Sequence, residues 1–210
     1  MLVEQEAHGL FQTIRRNRRV LSRLGVGAAL IGGLRASRQV ILPLWAVSIG
    51  MDDTATAIII GIAGAVDFAL FYTGGAIMDR FGRLWTAVPS MIGLGLGHLV
   101  LAFTHDVASA EAWFVVAALV LAVANGLGSG ILMTLGADLA PPAHPAPFLG
   151  AWRFTGDAGS ATAPLVVAGL TGLLSLPFAA GAVGVIGAVG AWHLARMIPR
   201  YIPGRPKPAI

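Results

Sequence analysis

The sequence predicts an all-α integral membrane protein, and three observations support that fold class. Of its 210 residues, 56% are hydrophobic and only 11% are charged, whereas a soluble domain has about 25% charged residues. The apolar residues form six long runs. Outside those runs, the arginines lie in the two terminal segments and in the connector after the second run. We therefore expect six transmembrane helices with both termini in the cytoplasm.

Each apolar run is long enough for one membrane-spanning helix, which needs about 20 residues. The six runs cover residues 24–49, 55–78, 85–104, 112–136, 148–174 and 176–197. The chain then divides into a basic cytoplasmic lead at 1–23, a six-helix bundle at 24–198 and a basic cytoplasmic tail at 199–210. A proline-rich connector at 141–147 is expected to be extended.

Arginine placement predicts the orientation in the membrane. The lead, the connector after the second run and the tail carry arginines, whereas the connectors 50–54 and 104–111 contain no Lys or Arg. Basic loops stay in the cytoplasm, so the net charge of +4 reflects orientation in the lipid bilayer. A soluble nucleic-acid-binding protein is excluded by the six runs, and no nucleic-acid partner is expected.

Polar residues inside the runs are the candidate functional residues, because a charge at membrane depth is costly. Arg35 and Arg38 share one face of the first run, and Asp67 lies at the middle of the second. Neighbouring helices would let one of these arginines pair with Asp67. Asn125 in the fourth run could bridge helices or contact a ligand. Two interpretations stay open: a polar pathway for substrate or protons, and a structural ion pair.

Other polar residues indicate no enzyme. Arg153 and Asp157 are four residues apart and predict a local ion pair. His98, within the apolar third run, is expected to be packed or interfacial. The five histidines are scattered along the chain, without metal-ligand spacing or paired carboxylates. We therefore expect no metal, no cofactor and no catalytic site.

One connector carries a family signature. Residues 75–83 read GAIMDRFGR and resemble the G-x-x-x-D-R-x-G-R motif of the major facilitator superfamily of secondary transporters. In that family the motif occupies the cytoplasmic turn between the second and third helices of each six-helix half. Here it follows the second run, on the side that the arginines predict to be cytoplasmic.

The signature residues have expected roles. Gly75 and Gly82 would permit a tight turn and close helix approach. The resemblance implies that Asp79, with Arg80 and Arg83, belongs to a latch that holds two six-helix halves in the outward-open state. The alternative is that the two arginines only set topology.

The fifth run has a second resemblance. Gly150, Gly159, Ala163 and Pro164 follow the spacing of the family's antiporter motif, G-x8-G-x3-G-P, with alanine in the place of one glycine. These residues are expected to serve helix packing. The glycine pair that follows in the motif is absent, so proton-coupled export is not implied.

The resemblance covers residues 20–198 and implies one six-helix half of a twelve-helix transporter. The arginine-rich lead and the lack of an arginine in the fourth run favour the C-terminal half, although the fifth run would equally suit an N-terminal half. The implied partners are the lipid bilayer, a small-molecule substrate, and either a second six-helix half or a homodimer mate. The implied function is alternating-access transport, with proton coupling left open. The alternative is a non-transporting membrane subunit or a non-functional fragment.

Overall fold

The computed structural model describes residues 10–202, which form eight α-helices. They are α1 (Leu10–Arg16), α2 (Arg18–Ser48), α3 (Asp53–Phe81), α4 (Leu84–Phe103), α5 (Ala110–Gly128), α6 (Ile131–Leu139), α7 (Pro145–Leu173) and α8 (Leu176–Tyr201). No strand occurs in this described range. The predicted lead at 1–23 and tail at 199–210 lie partly outside it.

Four helical stretches within residues 10–202 are long and apolar enough to cross a membrane. They are α3, α4, the stretch Ala110–Leu139 that joins α5 to α6, and α8. The helices α2 and α7 have 31 and 29 residues, but they are less apolar. Two arginines lie in the central part of α2, and α7 is rich in small and weakly polar residues. Membrane crossing by α2 and α7 therefore stays a prediction.

The helices pack side by side in the order α7, α2, α8, α4, α5 and α3. Trp45, Leu94 and Phe114 are among the fully buried side chains of the apolar core. Small residues allow the backbones to approach closely: a Cβ atom added to Gly187 in α8 would lie 2.6 Å from the Cα atom of Gly95 in α4. Such approach favours helix association in lipid, where the hydrophobic effect does not drive it.

The helix α3 stands at one end of this row and packs mainly against α5. Most of its surface is exposed, including Phe68 and Tyr72, whose side chains are more than four-fifths exposed. A helix this apolar and this exposed faces either lipid or another protein surface.

Polar side chains cap the N-terminal ends of two of the long helices. The Asp52 carboxylate accepts a hydrogen bond from the backbone N–H of Ala55 at 3.0 Å, at the start of α3. The Ser175 hydroxyl accepts one from the N–H of Phe178 at 3.2 Å, at the start of α8. These caps satisfy N–H groups that the helices themselves cannot.

Two predicted boundaries are corrected by the structure. The fourth run is not one continuous helix, because Ser129 and Gly130 separate α5 from α6 and Gly130 has φ of +81°. The connector predicted to be extended over 141–147 is shorter, because α7 already begins at Pro145. Proline is favourable in the first turn of a helix, where its missing N–H leaves no hydrogen bond unmade.

Candidate functional site: a polar cluster between three helices

Three of the predicted residues meet at one carboxylate. The Nη2 atom of Arg38 in α2 donates to Oδ2 of Asp67 in α3 at 2.9 Å. The Nδ2 atom of Asn125 in α5 donates to the same oxygen at 2.8 Å. Side chains from α2, α3 and α5 therefore share one acceptor, and both members of the ion pair are mostly buried, with exposures of 16% and 15%.

The cluster lies at the mid-length of its helices. Asp67 is at the midpoint of α3, and Asn125 is close to the midpoint of the helical stretch Ala110–Leu139. Arg35 and Arg38 lie just beyond the midpoint of α2. If these helices cross the membrane, the cluster lies deep in the hydrocarbon region, where charged groups pair or line a cavity.

Close packing of α3 on α5 brings Asn125 to Asp67. A Cβ atom added to the next residue, Gly126, would lie 2.5 Å from the carbonyl oxygen of Asp67 and 2.9 Å from Cβ of Leu70. A Cβ atom added to Gly74 would collide with the backbone of Leu127. These two glycines set the short distance between the helices that the hydrogen bond from Asn125 requires.

Arg35 has a different environment from Arg38. Its Nη2 atom donates to the carbonyl oxygen of Gly128, at the break between α5 and α6. A cation at the C-terminal end of α5 is favoured by the helix dipole. No carboxylate within residues 10–202 forms an ion pair with Arg35, and its Nε atom is buried without a hydrogen-bond partner. Of the two predicted pairings with Asp67, the structure therefore contains the one with Arg38.

His98 is packed beside this cluster. It is fully buried in α4, with Nδ1 at 2.7 Å from the carbonyl oxygen of Leu94 and Nε2 at 3.3 Å from Oγ of Ser37. Because a carbonyl oxygen can only accept, Nδ1 carries a proton. This environment agrees with the packed histidine expected from the sequence.

The signature turn between α3 and α4 is organised by Gly82 and Arg83. Gly82 has φ of +96° and its N–H bonds to the carbonyl of Met78, a conformation that side chains disfavour. The Arg83 guanidinium donates from Nε to Oδ2 of Asp138 at 2.7 Å and from Nη2 to Oδ1 at 3.3 Å. This two-pronged contact raises the pKa of Arg83, against the opposing effect of partial burial. It ties the turn to the end of α6.

The other signature residues have looser surroundings. The Asp79 carboxylate is 84% exposed and lies 3.6 Å from Nη1 of Arg83. The Arg80 guanidinium lies 5.2 Å from the centre of the Phe81 ring. Within the described residues no atom lies within 4 Å of a Cβ atom added to Gly75, so the close helix approach predicted for Gly75 is not made inside this bundle. The helical period directs Gly75 outward and the preceding glycine toward α5.

Sequence reasoning missed Asp138 as the partner of Arg83. A signal was present, because Asp138 is the only carboxylic residue between Glu111 and Asp157 and follows an apolar run directly. The predicted orientation places it on the same membrane side as the signature arginines. An acidic residue isolated in this way, on the side rich in arginine, is a candidate ion-pair partner.

The residues singled out in the fifth run differ in how closely they pack against other helices. Arg153 and Asp157 form an ion pair at 3.5 Å with both side chains about 70% exposed. A Cβ atom added to Gly159 would collide with the backbone of Ala29, so this glycine determines the close contact between α7 and α2. Pro164 lies within α7, which continues past it. A Cβ atom added to Gly150 would meet no atom within 4 Å among the described residues, so a packing role for Gly150 stays a prediction.

Within the described residues, no group of three or more His, Asp or Glu side chains could hold a metal ion. The polar cluster combines guanidinium, carboxylate and amide groups.

A comparison with protein families supplies independent information. The family model described as Major Facilitator Superfamily matches residues 10–209, nearly the whole chain. Among curated proteins and among solved structures, no significant match was found. The match includes the polar cluster and the signature turn.

Proposed function

Because this chain belongs to the Major Facilitator Superfamily, whose members are membrane transporters and not enzymes, we propose that it moves a small solute by alternating access. The observation that carries the proposal is the mid-helix cluster of Arg38, Asp67 and Asn125, drawn from three helices. Ionisable groups held at membrane depth typically belong to substrate or proton pathways.

The proposed topology has six spans with both termini in the cytoplasm. The spans are α2, α3, α4, the stretch of α5 and α6, α7 and α8. The lengths of α2 and α7 support their inclusion, as does their extensive mutual packing. The chain has no cysteine, so single cysteines introduced at residue 52 and residue 80 can be labelled from either side of the membrane. Labelling of both from the same side would refute this topology.

The proposed transport unit contains a second six-helix body. Transporters of this kind enclose one pathway between two such bodies. The broad exposed apolar face of α3 supports an additional protein surface beside it. That second body is either another copy of this chain or a separate half, and we propose that this chain corresponds to the C-terminal half.

The signature turn is proposed to act as a latch in two parts. The contact between Arg83 and Asp138 holds the turn to α6 within this body. The Asp79 carboxylate, which is largely exposed, remains accessible to a helix N-terminus or a cation of the second body. Release of that contact would accompany alternating access.

Transport is tested in proteoliposomes that contain the purified full chain. Uptake of lactate, glucose and tetraethylammonium is measured as representatives of anionic, neutral and cationic solutes. Uptake of any one of them that Asp67→Asn reduces and the exposed-site control Arg153→Gln does not would support the proposal. Absence of uptake for all three, with the chain shown to be dimeric, would refute autonomous transport and favour a non-transporting subunit.

A further inference from the structure

We propose that the polar cluster binds a monoanionic solute that also carries a hydrogen-bond donor, such as a 2-hydroxycarboxylate. This inference rests on the proposed function and specifies its substrate class. Sequence alone left the class open, because Asp67 could have neutralised either arginine. The structure shows how the charges are distributed.

The cluster carries an excess positive charge. Together with Arg35, one turn earlier in α2, it has two guanidinium groups against the single carboxylate of Asp67. The hydrogen bonds to Arg38 and Asn125 converge on Oδ2 of that carboxylate. Within residues 10–202 no carboxylate lies within ion-pair distance of Arg35, and a charge without a direct counter-ion among packed helices is costly.

The hydrogen bond that caps α5 uses only some of the N–H groups of Arg35. A guanidinium has five N–H groups, and the only hydrogen bond that Arg35 forms with the described residues is the one from Nη2 to Gly128. The Nε atom is buried without a partner. A planar guanidinium with free N–H groups matches the paired oxygens of a carboxylate.

Asn125 accounts for the hydrogen-bond donor that the proposed solute carries. Its amide nitrogen is used by Asp67, whereas its Oδ1 atom is buried without a partner. Asn125 lies three residues before Gly128, whose carbonyl oxygen accepts the hydrogen bond from Arg35, so both residues lie on one face of α5. A carbonyl oxygen can only accept, so the solute must bring a donor such as a hydroxyl group.

The test measures binding directly, so that it does not depend on transport. The purified full chain in a non-ionic detergent and a low-chloride buffer is equilibrated with lactate, propionate or lactamide. Lactate has both the anion and the hydroxyl group, propionate lacks the hydroxyl group, and lactamide lacks the charge. We expect lactate to bind at least tenfold more tightly than either analogue.

Variants assign the two contacts. Arg35→Gln should weaken lactate binding by at least tenfold, whereas Arg35→Lys, which keeps the charge and can still cap α5, should weaken it less. Asn125→Ala should make lactate and propionate bind equally. Arg153→Gln, which removes an exposed arginine of α7, should bind lactate like the natural chain.

Three results would overturn the inference: equal binding of lactate and lactamide, no binding of lactate, or unchanged lactate binding in folded Arg35→Gln. The two proposals can fail separately. Lactate binding without uptake would refute transport and leave the anion site in place. Uptake of glucose or tetraethylammonium without lactate binding would refute the anion site and leave transport in place.

Discussion

The contact between Arg38 and Asp67 gives the sharpest prediction about stability. Asp67→Asn leaves the guanidinium of Arg38 without a counter-charge. Removal of one partner from a buried ion pair typically costs about 3–5 kcal/mol. Because these side chains keep exposures of 16% and 15%, we expect a smaller loss, about 2–3 kcal/mol. Arg38→Gln should cost a similar amount, since the carboxylate then keeps only the hydrogen bond from Asn125.

The double variant separates pairing from the loss of each group alone. When Asp67→Asn and Arg38→Gln are combined, no unpaired charge is left behind. The loss in free energy of unfolding should therefore be smaller than the sum of the two single losses by about 1.5–2 kcal/mol. The free energy of unfolding is measured in mixed micelles by titration with a denaturing detergent, with helix content followed by circular dichroism.

A matched cycle on Arg153 and Asp157 serves as the control. That pair is separated by 3.5 Å, but both side chains are about 70% exposed, so its coupling should be below about 0.5 kcal/mol. A coupling between Arg38 and Asp67 no larger than that of the control would refute the reasoning that burial makes this pair stabilising.

Three further predictions concern single contacts. If Asp67 carries protons, Asp67→Asn should abolish gradient-driven uptake yet retain solute exchange; equal loss of both, together with low expression, would indicate a structural role. Gly126→Val should lower the free energy of unfolding by more than about 2 kcal/mol, because its side chain meets the α3 backbone, whereas Gly75→Ala should be neutral. A comparable loss of free energy of unfolding in Gly126→Val and Gly75→Ala would contradict the different surroundings of these glycines. Arg83→Lys and Asp138→Asn should each cost about 1 kcal/mol and increase proteolysis at the α3–α4 turn; unchanged proteolysis in both would contradict the tether between this turn and α6.

The sequence predicted several features of the fold well. Long apolar runs have few alternatives to helices in a membrane, because each backbone polar group must be satisfied within its own segment. Five of the six runs accordingly coincide with single long helices, and the fourth is divided between α5 and α6. The runs did not reveal the break at Ser129 and Gly130, because glycine is compatible both with close packing and with a helix end. The start of α7 at Pro145 was missed for a similar reason, since proline suits an extended link and a first helical turn equally.

The site was predicted in part. Arg35, Arg38 and Asp67 could be selected because charges are rare at membrane depth, and the signature identified the turn at 75–83. Asp138 was overlooked because it lies more than fifty residues from Arg83 in the sequence. Its role depends on the approach of α6 to the α3–α4 turn, which no local pattern reports. Gly74, and not Gly75, packs against α5. Which of the two glycines does so likewise depends on the rotation of α3 about its own axis.

The sequence by itself determined that this is a helical membrane protein of the transporter family and which charges lie within its helices, because hydropathy, arginine placement and the signature are local properties. The tertiary structure decided which charges compensate each other. Asp67 pairs with Arg38 and Asn125, while Arg35 is left with a backbone carbonyl and an unused N–H group. That distribution depends on the distance between α3 and α5, which Gly74 and Gly126 set, and on the carbonyl that the end of α5 makes available to Arg35.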